Sequence, residues 1–236
     1  MNVLVACEFS GIVRDAFTRH GHYAVSCDLL PTESPGMHYE GDVTDILDNP
    51  WDLMVAHPPC THLAVSGARW FRDKLGEQEV ALSFVRLLMD APIEHICVEN
   101  PVSIISTRIR KPDQIIQPWQ FGHDASKTTC LWLKNLPQLE PTEHIDPKYA
   151  CKCGARFDYA LGKYGCPNCC GDNVAKLVYG NQTPSGQNKL GPSPDRAKLR
   201  SATYPGIAEA MAEQWGRWIL EDYYRQVEMI LEGGQG

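Results

Sequence analysis

A chain of 236 residues that is 43% hydrophobic and 22% charged can bury a sizeable core and fits one domain with a modest insertion, which excludes a disordered chain, a collagenous repeat and a small disulfide-stapled scaffold. The formal net charge of −7 argues against unspecific coating of nucleic acid. It hides a basic middle, however: residues 61–200 hold eighteen bases against fourteen acids, a local net of +4, between acidic flanks, so a phosphate-facing surface and a mixed solvated one are both open.

Met1 to Ala6 reads as a short buried strand, followed by the turn EFSG and a helical stretch, Ile12 to His20, with Ile12, Val13, Ala16 and Phe17 on one face. Tyr23 to Cys27 is a second predicted strand, closed by Asp28. The segment GDVTDI precedes a third, Leu53 to Ala56, which runs into His-Pro-Pro-Cys at 57–60. Helical periodicity covers Glu77 to Asp90, and Ile96 to Val98 is a further strand ending at Glu99-Asn100-Pro101. Strands alternating with helices predict an α/β, doubly wound parallel sheet, with ligands at the carboxyl ends of the strands. Beyond Pro137 come a cysteine-rich segment, a Gly/Pro/Asn-rich loop from Gly180 to Pro194 and a final helix, Ile207 to Leu231. We expect a core over 1–147, an insertion over 148–172 and a return to the core over 173–236. No apolar run approaches the roughly 20 residues of a membrane span, and MNVLVACEFSG has neither a basic leader nor an apolar signal core. A soluble, cytoplasmic protein is the expectation.

In that reducing setting ten cysteines point to metal or catalytic use before disulfides. Five fall between Cys151 and Cys170. Cys151-x-Cys153 and Cys166-x-x-Cys169 could set four thiolates tetrahedrally around one structural Zn²⁺, with Gly154, Gly165 and Gly171 suiting the tight turns and Cys170 as a spare ligand. The alternative is a chance cluster of reduced thiols, which so short a loop, with little apolar core of its own, makes the poorer account.

A second constellation lies upstream. Cys60 follows two prolines at a strand end, a stiff setting of the kind a nucleophile requires, and Glu99-Asn100 closes the next strand. Taken singly, Cys60 reads as a small buried residue and Glu99 as a cap. Together they point to chemistry on an electron-poor ring.

With these residues the chain resembles the cytosine 5-methyltransferases that act on DNA. The family's order is an FxG turn opening the S-adenosylmethionine site, an acid closing the second strand, a further acid, a Pro-Cys loop with the nucleophile and a Glu-Asn pair holding the base. Here Phe9-Ser10-Gly11, Asp28, Gly41-Asp42-Val43, Pro58-Pro59-Cys60 and Glu99-Asn100 follow in that order over the first half of the chain. The resemblance implies a Rossmann-like S-adenosylmethionine-dependent methyltransferase sheet. It makes Cys60, Glu99 and Asn100 the catalytic set and Phe9, Ser10, Gly11, Asp28, Asp42 and Pro58 the donor site, with DNA carrying a flipped or single-stranded cytosine as partner. Asp28 would suit the ribose hydroxyls and Asp42 the adenine amine, although ordinary turn or cap chemistry would explain either alone.

Three departures stand beside the likeness: Thr61 follows the cysteine where the family has Gln, Pro101 follows Glu-Asn where it has Val, and the cysteine ribbon occupies the place of a large target-recognition domain. The family's basic Gln-Arg-x-Arg segment would fall at Phe121 to Thr129, where Lys127 alone is basic. The thiolate would then be favoured by Arg69, Lys127 or His57, or by proton loss as the base docks. Two other readings use the same residues: an amino-methyltransferase or other base-modifying enzyme, and a non-catalytic zinc-ribbon nucleic-acid-binding protein. His57-Pro58-Pro59-Cys60 lacks the acid and aromatic of the first, and the joint presence of Cys60 and Glu99 counts against the second.

Overall fold

The computed structural model describes residues 1–65, 74–151, 153–158, 166, 168–169, 174–183, 188–191, 193 and 196–233. The chain divides into two compact units, one of Met1–Ile116, Thr128–Glu140 and Ile207–Gly236, the other of Gln117–Lys127 and Pro141–Gly206.

In the first unit β1 (Asn2–Ala6), α1 (Ile12–Arg19), β2 (Tyr23–Asp28), β3 (His38–Glu40), β4 (Leu53–Ala56), α2 (Leu75–Met89), β5 (His95–Pro101), α3 (Ile105–Arg108), β6 (Gln114–Ile116) and β7 (Thr129–Lys134) build one seven-stranded sheet. Its order is β3-β2-β1-β4-β5-β7-β6. All neighbours from β3 to β5 pair in parallel, and β7 runs antiparallel to both β5 and β6. The first five strands keep the Rossmann order, and the antiparallel β7 stands between β5 and β6. Val3 to Ala6 of β1 and all of β4 are fully buried, as continuous apolar strands covered on both faces must be. Helix α2 buries Gln78, Leu82, Val85 and Leu88 at helical spacing, and these leucines and Val85 pack with Leu4, Met54, Ile96 and Trp132 in the main core.

The final helix is not continuous as expected. It runs Pro205–Ala210, opens into one π-helical turn at Met211–Trp215 and resumes at Gly216–Gly233. The extra residue in that turn keeps Met211, Ala212 and Trp215 all inward. Gly216 follows where a side chain would collide with the His22 ring.

The second unit holds a small antiparallel sheet, ordered β10-β8-β9, from β8 (Lys148–Cys151), β9 (Arg156–Phe157) and β10 (Val174–Val178). Asp124 ties it together: its carboxylate takes both Arg156 guanidinium nitrogens, at 2.7 and 3.2 Å, and the Gly180 amide at 2.7 Å. The Arg156 guanidinium holds the Asp124 carboxyl below the usual carboxylate range. Among the described residues no helix is long and apolar enough to cross a membrane.

Candidate active site and metal centre

Strand register lines up the site. Ala6 pairs with Cys27 of β2 and with Ala56 of β4, and Ala56 pairs with Val98 of β5. The next residue along each path is Cys7, Asp28, His57 or Glu99, so these four share the carboxyl edge of the sheet, and Gly41-Asp42 continues the row past β3. That edge, where the strand order reverses at β1 and β4, is where open α/β sheets hold ligands.

At the turn after β1, Gly11 adopts a left-handed φ of +76° as the residue before α1, and a Cβ there would run into the Arg14 guanidinium. The amides of the helix start that lack an intrahelical acceptor are claimed by Glu8, whose buried carboxylate accepts from Val13 N at 2.7 Å, Arg14 N at 3.2 Å and Ser10 Oγ at 3.0 Å. The Phe9 carbonyl accepts from Glu33 N at 2.8 Å. Buried Arg14 fastens the loop after β2, donating to Ser26 Oγ, Thr32 Oγ1 and the carbonyls of Ser34 and Pro35 at 3.1 to 3.2 Å. Asp28 accepts from Leu30 N at 3.0 Å. Asp42 caps the 3-10 turn Val43–Asp45, taking both the amide and hydroxyl of Thr44, and the amide holds its carboxyl below its ordinary range. Glu8 and Arg14 escaped the sequence reading. An acid beside the Gly-containing turn and an arginine amid the apolar face of α1 were their signals.

The proline-stiffened loop is pinned to the end of β5. His57 N still extends the β-ladder to Ala6 O at 2.9 Å, after which Pro58 and Pro59 have no N–H to offer. Asn100 Nδ2 donates to Pro58 O at 2.9 Å, and His57 Nδ1 meets Glu99 Oε2 at 2.8 Å. The Cys60 carbonyl accepts from Leu63 N and Ala64 N, and Val65 N donates to Val102 O while Ile104 N donates to Leu63 O. Cys60 thus begins a turn whose far side is stitched to the segment following Glu99-Asn100. Glu99 is 7% exposed and Asn100 1%.

Buried polar atoms with no hydrogen-bond partner in the protein concentrate here. Six such side-chain atoms occur among the described residues, and His57 Nε2, His62 Nδ1, Asn100 Oδ1 and Ser103 Oγ all belong to this loop or the segment bridged to it. Buried polar groups are ordinarily satisfied, so the cluster marks a place shaped for a polar ligand. Of the expected thiolate-promoting groups, His57 faces Glu99. Lys127 lies in the second unit, where its ammonium donates to Ala202 O at 3.1 Å. Arg69 falls outside the described residues.

The cysteine ribbon has the geometry its spacing implies. The sulfurs of Cys151, Cys153, Cys166 and Cys169 all lie within 4.8 Å of one another, with Cys151 to Cys169 and Cys153 to Cys166 at 3.6 Å. Four thiolates about 2.3 Å from a tetrahedral ion stand about 3.8 Å apart, so the set fits Zn²⁺. Cys151 ends β8, Gly154 turns the chain at φ +92°, and Cys151 N returns to Ala155 O at 2.9 Å. The Ala155 amide aimed at the Cys153 sulfur, with Cys151 beside it, lowers that thiol to about 6. Cys170 falls outside the described residues.

No protein-family model matches this sequence, and no curated protein does. Among solved structures, the chain is similar to a prophage-encoded protein of E. coli that is itself assigned only provisionally as a DNA modification methyltransferase. The two share 15% identity at a TM-score of 0.41 over 61% of this chain, which spans about half of that protein (52%).

Proposed function

We propose that this chain is a DNA cytosine 5-methyltransferase, acting on a flipped-out or single-stranded cytosine with S-adenosylmethionine as donor. The observation that carries the reading is the pinning of the Pro58-Pro59-Cys60 loop onto Glu99-Asn100 by two hydrogen bonds of 2.8 and 2.9 Å. It couples a cysteine and a buried carboxyl at neighbouring strand ends, beside an edge suited to a nucleotide-like donor.

The residues divide the work. Cys60 Sγ bonds to C6 of cytosine, moving the C5–C6 π electrons toward C5. Glu99 faces N3 and the exocyclic amine, and protonation at N3 offsets the charge displaced by addition. The donor supplies an electrophilic methyl group, which C5 takes. Loss of the C5 proton to a base then re-forms the double bond as the C6–S bond breaks, and N3 returns its proton to Glu99. Donor binding falls to Phe9, Ser10, Gly11, Asp28, Asp42 and Pro58. Glu8 supports the choice of donor: with its carboxylate across the first amides of α1, the helix start cannot cradle a pyrophosphate as dinucleotide sites do, whereas S-adenosylmethionine carries no phosphate. A structural Zn²⁺ on Cys151, Cys153, Cys166 and Cys169 would complete the second unit.

Incubation with isotope-labelled S-adenosylmethionine and DNA, followed by nucleoside mass spectrometry, tests the reading. Label in 5-methylcytosine is expected. Label in an exocyclic N-methyl base would replace it with an amino-methyltransferase, and no label in any base would end the catalytic reading.

A further inference from the structure

We infer that His57 is a positioning residue for Glu99, locking its carboxyl group in the plane from which it meets the cytosine ring. The inference rests on the function proposed above and assigns a partner within that site.

The argument is geometric. His57 lies on the loop between β4 and Pro58, one residue past the last β4–β5 pair, Ala56 with Val98. Glu99 is the equivalent residue of β5, so the two side chains meet across neighbouring strand ends. His57 Nδ1 and Glu99 Oε2 are 2.8 Å apart, with the side chains 11% and 8% exposed. The opposite ring nitrogen, Nε2, is buried and has no acceptor among the described residues. An imidazole with a carboxylate on one side and no acceptor on the other carries its proton at the carboxylate side. His57 therefore donates from Nδ1 to Glu99 Oε2.

One fixed oxygen fixes the other, because a carboxyl group is planar. The ring is itself held: the His57 amide is tied to Ala6 O, and Pro58, Pro59 and the Asn100 bond stiffen the following backbone. Glu99 Oε1 is thus aimed by the scaffold before a base arrives. Glu99 takes up a proton on Oε1 before the attack; when that proton passes to N3 of the ring, the His57 N–H remains on Oε2 and stabilises the carboxylate left behind. No proton leaves His57 in that step. A carboxyl group free to rotate would have to be oriented at the moment of attack, and misplacement by about 1 Å can cost on the order of a hundredfold in rate.

Two substitutions and one spectrum test this. In His57→Asn the amide can reach the Nδ1 position and donate, and in His57→Leu nothing can. With a cytosine-containing single-stranded oligonucleotide and labelled S-adenosylmethionine, His57→Leu should lower kcat by ten- to a hundredfold, leaving KM for DNA and donor affinity unchanged. His57→Asn should recover most of the loss. A His57→Leu enzyme as fast as wild type, or an Asn variant as slow as Leu with donor affinity intact, would overturn the assignment. Nitrogen-15 NMR of histidine-labelled wild type provides a readout independent of turnover and of whether the Leu variant folds. It should show His57 protonated at Nδ1 and bare at Nε2, and the reverse tautomer would overturn the assignment whatever reaction the protein performs. The Nδ1-protonated signal in a protein that modifies no cytosine would uphold the pair and overturn the cytosine reading instead.

Discussion

Burial pushes the thiols of Cys7 and Cys27 up to about 12, with Asp28 adding to both, and it raises Cys97 and Cys130 too, where Glu99 adds. Those four thiols are poor nucleophiles. Cys60 sits half-buried on its stiff loop. Cys60→Ser should abolish turnover while donor affinity stays within a few-fold, because the hydroxyl is far less nucleophilic and all the proposed donor residues but Pro58 lie on other loops. Wild type should be trapped covalently by 5-fluorocytosine, since fluorine cannot leave as a proton does. Mass spectrometry finding no adduct on Cys60 would remove it from the chemistry. Glu99→Gln should slow the single-turnover rate by on the order of a hundredfold, the scale of losing a preorganised electrostatic partner; an unchanged rate would make Glu99 structural. The two donor-side acids separate by what they already hold. Asp28→Ala should weaken S-adenosylmethionine binding in calorimetry with little change in stability. Asp42→Ala should in addition cost about 1 kcal/mol in urea unfolding through the lost cap. The Thr44 amide favours the charged form of Asp42, so that part of the stability is present above its unfolded carboxylate range and fades as pH falls through the lowered folded value.

Helix α1 and the turn before it follow β1 at the proposed donor site, and their stability hangs on Glu8. Removing its carboxylate leaves the Val13 and Arg14 amides buried without a partner, so Glu8→Ala should cost about 2 kcal/mol by chemical denaturation. An unchanged midpoint would mean water replaces the cap. The same element marks how far the sequence could be read. The buried strands β1, β2, β4 and β5 and helices α1 and α2 announced themselves, because a parallel sheet covered on both faces writes continuous apolar runs and its helices write a 3.6-residue period. Strands β3 and β6 have only three residues each, too few for any period. Strand β7, Thr-Cys-Leu-Trp-Leu-Lys, pairs antiparallel between β5 and β6, a placement that only tertiary contact decides. The π turn at Met211–Trp215 leaves the apolar pattern of its helix nearly intact and so could not be anticipated. The order of motifs points to Cys60, Glu99 and Asn100, which the fold brings to neighbouring strand ends, while the bond between His57 and Glu99 joins residues 42 apart and no local pattern encodes it.

At the scale of the whole molecule the two units differ in what holds them. The first has a continuous core drawn from β1, β2, β4, β5 and β7, with Trp132, Leu4, Met54 and Ile96 essentially inaccessible to solvent. The cluster around the ribbon consists of Cys151, Phe157 and Cys166, with Tyr149 and Ala155 against it. Two of its three buried members are candidate ligands, so apolar burial there offsets little of the entropy of ordering the chain. A tetrahedral zinc–thiolate site contributes on the order of 10 kcal/mol at neutral pH, enough to order the ribbon on its own. One Zn²⁺ per chain is therefore expected by metal analysis. A chelator should release it and expose the segment around Cys151–Cys169 to hydrogen exchange and proteolysis first, while the seven-stranded sheet stays protected and S-adenosylmethionine still binds. Because the ribbon stands in the basic middle of the chain, DNA affinity should fall as the metal leaves, and by less at higher salt, where phosphate contacts contribute least. A paired Cys166→Ser and Cys169→Ser protein should reproduce the chelated state. Zinc content equal to wild type in that variant would refute the ligand set. Zinc loss with DNA affinity intact would leave the ribbon a structural clip and assign the phosphate contacts to other bases of the segment 61–200.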